Sequence, residues 1–186
     1  MARSADTGAA TVKLLRTIRL DPSDTFVFDQ AAEPGEWAVP GGFVFFNTDP
    51  DTLSGKTRSA FRSGFLGIDS LGWSTLVQIV EAGDADRTAM VEALATRLVA
   101  QFGAPDMATA RVAAEEEVAF AASLTEQPAG TLVAVHRVRD DGAIRETFRT
   151  LRPRLGEKPL RAFAFMNVEG EDDPSEDVDL VNLAKG

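Results

Sequence analysis

Glu117 is the first residue whose position asks for chemistry. On a helical wheel at about 100° per residue, Met107 to Leu124 gather Ala113, Leu124, Ala110, Ala121, Ala114, Met107 and Val118 into one apolar arc, with Phe120 at its edge. Glu115 and Glu116 fall outside that arc, and Glu117 falls inside it. A carboxylate turned toward a core must be paired, protonated or reached by water. Arg16 is the partner type on offer, because it shares the apolar parity of Val12, Leu14, Ile18 and Leu20. Two roles stay open for Glu117: a general acid/base or ligand-gripping carboxylate, or a plain ion pair at a helix rim.

A second group comes from a hairpin. Asp141-Gly142 lies between two apolar-alternating runs, a strong signal for a tight turn. A two- or four-residue loop puts Val133, Val135, Ile144, Phe148 and Thr150 on one face, with Arg137 opposite Glu146. The other face then carries His136 opposite Thr147, Val138 opposite Arg145 and Ala134 opposite Arg149, with Arg152 and Arg154 just beyond. A three-residue loop would shift the parity and undo this arrangement. The basic face could bind a small anion or an acidic partner. It could equally be a solvated outer sheet face or a landing place for the chain's own acidic tail.

Other motifs fail on inspection. Ser54-Gly55-Lys56-Thr57 resembles the end of a phosphate-binding loop, but Pro50 stands where a glycine is needed and Leu53 is bulky. It reads as a helix start capped by Ser54. Gly72-Trp73-Ser74 lacks the second glycine of a nucleophile elbow and precedes a strand rather than following one. One histidine and no cysteine exclude thiolate metal sites, disulfides and Cys nucleophiles, and no metal or cofactor is expected.

Charge narrows the partners. The 186 residues carry a net −10, and Glu169 to Gly186 alone holds seven acids and one base, a net −6 that leaves −4 for residues 1–168. Nucleic-acid binding needs a basic footprint, and anionic membrane surfaces are disfavoured for the same reason. No apolar run approaches the roughly 18 residues that span a bilayer. Residues 1–11 are small and polar, read as a disordered leader with no export signal, so the cytoplasm is the expected location.

The elements that must position these groups follow from pattern. Strands are predicted over Val12–Leu20, Thr25–Asp29, Trp37–Asn47, Trp73–Ala82, Thr131–Asp140, Ala143–Leu151 and Leu160–Val168. The third is broken by Pro40-Gly41-Gly42, and its Phe43-Val44-Phe45-Phe46 run is apolar on both parities, so it is either covered on both faces or leaves one face to a partner. Trp73–Ala82 is the expected central strand. Helices are predicted over Thr57–Phe65, from Asp84 or Asp86 to Phe102, and from Asp106 to about Thr125. The middle one shows a stripe of Met90, Val91, Leu94, Ala95, Leu98, Val99 and Phe102. Ser175 could cap a short amphipathic helix at Val178–Leu183.

Phe61-Arg62-Ser63-Gly64-Phe65-Leu66-Gly67, with Gly72-Trp73-Ser74-Thr75-Leu76-Val77, resembles a family of small bacterial proteins of unknown function. So do Leu14-Leu15-Arg16-Thr17-Ile18-Arg19-Leu20-Asp21 and Ala114-Glu115-Glu116-Glu117. The resemblance spans about residues 12–155. It implies no activity and no catalytic residue.

The expectation is a single α+β domain over residues 12–168, a mostly antiparallel sheet with about three helices on one face, followed by an acidic tail. The leading functional expectation is a non-catalytic accessory or interaction protein, homodimeric through Phe43–Phe46 and open to a protein partner through the tail. The alternative is a small-anion-binding protein or enzyme using Glu117, Arg16 and the His136, Arg145 and Arg149 face.

Overall fold

The computed structural model describes residues 11–153 and 166–169. The expected leader (apart from Thr11), the start of the last strand at 160–165 and the amphipathic element at 178–183 lie outside the described residues.

Among the described residues, eight strands and four helices follow in order: β1 (Thr11–Ile18), α1 (Ser23–Val27), β2 (Ala38–Val39), α2 (Gly55–Ser63), β3 (Phe65–Gly67), β4 (Trp73–Ser74), β5 (Leu76–Gly83), α3 (Asp84–Gln101), α4 (Met107–Ser123), β6 (Leu132–Asp140), β7 (Ala143–Pro153) and β8 (Met166–Glu169). They form one α+β domain. A five-stranded antiparallel sheet runs β1-β5-β6-β7-β8, and a small antiparallel sheet runs β2-β3-β4. The α3–α4 pair packs against itself and onto β1, while α2 lies against β6.

Local chemistry explains the long elements. Asp106 accepts from the Thr109 amide at 2.7 Å and starts α4. Asp86 starts α3 by accepting from Gly83 N at 2.9 Å. Met90, Val91, Leu94, Ala95 and Leu98 of α3 are buried, as the helical stripe requires. Ala110, Ala114, Val118 and Ala121 are the buried residues of α4, and their small side chains let the two helices approach closely. The β6–β7 hairpin turns through Asp141 and Gly142, both at positive φ (50° and 82°), the backbone of a two-residue type I′ turn. Its register is the expected one, Arg137 opposite Glu146 and His136 opposite Thr147.

Three predicted strands change identity. Thr25–Asp29 is not a strand: Ser23–Val27 is a single helical turn. Pro22 leads into it, the Asp21 carboxylate accepts from Ser23 N at 2.8 Å, and Thr25 Oγ1 donates to Pro22 O at 2.6 Å, so side-chain bonds close the turn. Trp37–Asn47 pairs only at Ala38 and Val39, because the chain bends at Gly41 (φ 77°) into a 3-10 turn at Gly42–Phe45. Its four apolar residues therefore split between surroundings. Phe45 is buried between Phe61 and Trp73, each with its ring centroid at 5.3 Å. Phe43 meets Phe102 edge-on at 5.4 Å, a favoured aromatic geometry. Phe46 is 70% exposed. The open strand face that motivated the homodimer is not present in this segment.

Trp73–Ala82 is two strands rather than one central strand. Buried Asp24 takes Thr75 out of the ladder, accepting from its amide at 3.1 Å and its hydroxyl at 2.5 Å. The chain passes there from the small sheet (β4) to the large one (β5), where β5 lies between β1 and β6.

Candidate functional site

The hairpin places Arg137 on the same face as Val133 and Val135, against the protein interior. Its side chain has no exposure. Burying a guanidinium is costly unless its hydrogen bonds are all met. Here Nε donates to Glu146 Oε1 at 2.6 Å. Nη1 donates to Gly64 O at 2.6 Å and to Phe61 O at 3.2 Å, and Nη2 donates to Pro40 O. Phe61 and Gly64 stand at the C-terminal end of α2, where helix carbonyls lack partners and the dipole is negative. Arg137 therefore caps α2 from a strand 73 positions away.

Glu117 of α4 comes to the same place from the other side. Its Oε1 accepts from Gly41 N at 3.0 Å. Pro40 O and Gly41 N belong to one peptide group. That peptide is thus gripped at both ends, its carbonyl by a cation and its amide by an anion. Gly42 follows, and a Cβ there would lie 2.6 Å from Glu146 Oε1. The cluster joins α4, the end of α2, the 40–42 bend and both strands of the hairpin.

The balance is two carboxylates to one guanidinium. Burial pushes the Glu117 carboxyl above its ordinary value, and the nearby Glu146 charge adds to the push, against the Gly41 amide and Arg137, which favour the anion. Burial likewise pulls Arg137 down, opposed by Glu146 and Glu117. A carboxyl whose pKa is higher in the folded state binds more protons folded than unfolded. Its contribution to stability therefore falls as pH rises through that window, starting near 4.5, and stays reduced at neutral pH. Glu117→Gln keeps an oxygen for the Gly41 amide and removes the charge. The variant is expected to melt a few degrees higher than the parent at pH 7.5, at about 2–4 °C per kcal/mol for a chain of this size. The gap should close as pH falls below 4.5. A variant that melts lower at pH 7.5 would show the anion to be an asset.

The remaining expected site residues lie elsewhere. Arg16 is not the partner of Glu117: it donates to Gly35 O at 2.8 Å and lies 3.7 Å over the Trp37 ring. That cation–π stack could not be read from a shared β1 parity. His136, Arg145 and Arg149 are exposed on the outer face of β6–β7, opposite to the face that carries Arg137 and Glu146. Glu117 and this basic face are therefore not one site. His136 and Arg149 line a shallow depression with Ala134 and Val135. Arg145 pairs with Asp140 at 2.9 Å, and Arg152 donates to Gln127 Oε1 at 2.7 Å.

Pattern reading placed Arg137 opposite Glu146 without showing that it is the buried cation. It also missed Glu36, a 7% exposed carboxylate that accepts from Ser70 N at 3.1 Å and Ser70 Oγ at 2.9 Å. Burial raises its pKa, with a further push from Asp69. No sequence signal marks Glu36, which follows a Pro34-Gly35 turn and shows no periodicity.

Among the described residues no group of three or more His, Asp or Glu is arranged to hold a metal ion, and no helix is long and apolar enough to cross a membrane. What the fold and cluster define is an α+β domain whose buried ionic network ties its layers together. The chain belongs to a family of unknown function (DUF6505), whose match covers residues 12–170. No curated protein and no solved structure matches it significantly.

Proposed function

We propose that this chain is a non-catalytic interaction protein whose outer β6–β7 face receives an anionic surface of a protein partner. One observation carries the reading: an acidic chain turns His136, Arg145 and Arg149 outward on one sheet face, beside Val138, which is 43% exposed. The buried cluster supports it from the other side. Four hydrogen bonds of Arg137 end on the chain's own acceptors, so that cation is committed to the fold. Interfaces commonly combine a polar rim with a more apolar centre, and charge there mostly governs encounter and specificity.

The test is the double variant Arg145→Glu/Arg149→Glu, tagged and purified gently from the source cells beside the parent. Both sites are exposed, so its melting temperature should match the parent's closely. Proteins that co-purify with the parent should be depleted severalfold with the variant. Identical sets on both would reject the proposal. A second reading, a small bound anion, is favoured by the depression that His136 and Arg149 share. Native mass spectrometry of the same samples separates it, as a small stoichiometric adduct lost in the variant.

A further inference from the structure

Helix α4 is apolar on more sides than its own fold covers. Of its 17 residues only Arg111, Glu115, Glu116 and Glu117 are charged. Ala110, Ala114, Val118 and Ala121 are buried on one side. Ala108, Val112 and Ala119 form a second stripe that is exposed, Val112 by 61%. A helix that is apolar nearly all round is normally covered all round. Val112 borders a groove of about 480 Å³ between α3 and α4, with Val91 in its wall.

Four charges frame this groove in alternation. Arg87 of α3 pairs with Glu115 of α4 at 2.5 Å, and Glu92 of α3 pairs with Arg111 of α4 at 2.7 Å. Each helix thus carries one cation and one anion, about 6–8 Å apart along its axis and in opposite order. All four side chains are between 30% and 51% exposed, so each keeps a side open to a further partner. A two-fold axis lying in this face and running across both helices reverses the order. Every charge then meets its opposite: Arg111 faces Glu115 of the second copy, Arg87 faces its Glu92, and Val112 meets its counterpart beside the axis. A patch that complements itself in this way is what a two-fold contact demands.

We propose that two copies of this chain dimerise through the α3–α4 face in this arrangement, an antiparallel four-helix contact with Val112 at its centre and the charges around it. The footprint is adequate. Two helices side by side, about 25 Å long and 20 Å wide, cover roughly 500 Å² before side-chain relief, of the order of the ~800 Å² per partner that a stable interface buries. The homodimer expected at Phe43–Phe46 thereby moves to the helices. Phe120 of α4 packs on Phe148, on the inward face of β7, so the outward face with Arg149 stays clear in the dimer.

Sedimentation of the full chain tests this. The parent is expected at twice the mass of one chain at high micromolar concentration. Val112→Asp sets two carboxylates beside the axis and should weaken dimerisation about tenfold or more. Its circular dichroism should match the parent's, because the site is exposed. Arg111→Glu and Glu115→Arg each oppose like charges at two places, and each alone should be monomeric. Mixed in equal amounts they should form a dimer again, since the two reversed charges then face each other. A parent that stays monomeric overturns the proposal. So does a dimer that survives both Val112→Asp and Arg111→Glu, and a mixture that stays monomeric rejects this two-fold arrangement. The co-purification result bears on the β6–β7 face alone and is independent of these outcomes.

Discussion

Arg137→Ala is expected to lower stability by about 3–5 kcal/mol, a fall in melting temperature of roughly 6–20 °C for a chain of this size. Four hydrogen bonds disappear together. Glu146 keeps its charge in a site that is only 16% exposed and loses the cation, with Glu117 close by. The Pro40, Phe61 and Gly64 carbonyls lose a charged donor, and leaving buried acceptors unmet costs more than the bonds themselves contribute. Arg137→Lys should recover little. One ammonium cannot serve a carboxylate and three carbonyls arranged around a planar fork. If Arg137→Met is combined with Glu146→Leu, the Glu146 charge is no longer stranded and that part of the loss should return, while the part due to the unmet Pro40, Phe61 and Gly64 carbonyls should remain. Urea unfolding of the three variants checks this. An Arg137→Ala protein within about 1 kcal/mol of the parent, the cost of an ordinary substitution, would mean that the guanidinium does not hold these layers together.

Gly72→Ala should be the most damaging single methyl. An added Cβ would lie 2.6 Å from the carbonyl carbon and oxygen of Ala31 and from the amide nitrogen of Ala32. These are backbone atoms, so no side chain can rotate away. The strand pairing here is tight: Ala32 N donates to Trp73 O at 2.9 Å, Trp73 N donates to Gln30 O at 2.9 Å, and Gly67 N donates to Gly72 O at 2.9 Å. Relief requires the 30–32 segment to move off β4, which loses some of these bonds and disturbs the stack of Trp73 on Phe45. The expected cost is about 3 kcal/mol or more, at the upper end for overpacking. Gly103→Ala is the control. It has open space around its Cβ position but a φ of 77°. It therefore reports backbone strain alone, about 1–2 kcal/mol. Equal melting temperatures for the two variants would show that the 30–32 segment yields easily.

Gly72 and Arg137 were legible to different degrees. Gly72 stands out in the sequence only as part of an incomplete nucleophile-elbow pattern, and the approach of Ala31 and Ala32 shows that it admits no side chain. Arg137 was placed on the core face by turn chemistry and alternation. Its depth was not legible, because α2, α4 and the 40–42 bend that cover it are remote in sequence.

Features with local causes could be read from the chain alone. The α3 stripe, the Asp106 cap, the Asp141-Gly142 turn and the inward position of Glu117 all follow from residues a few positions apart. Periodicity and turn backbone preferences act at that range. The partners were chosen by tertiary packing. Glu117 meets Gly41 across 76 positions, Arg137 meets Pro40 across 97, and Asp24 breaks the strand at Thr75 across 51. Packing also made Arg16 stack on Trp37 instead of reaching α4, and wound Gly42–Phe45 into a turn. A buried polar group fixes the need for a partner, but many residues satisfy that need equally well. The meeting of distant layers selects which one arrives, since a burial cost of several kcal/mol is met wherever the chain can close the bond.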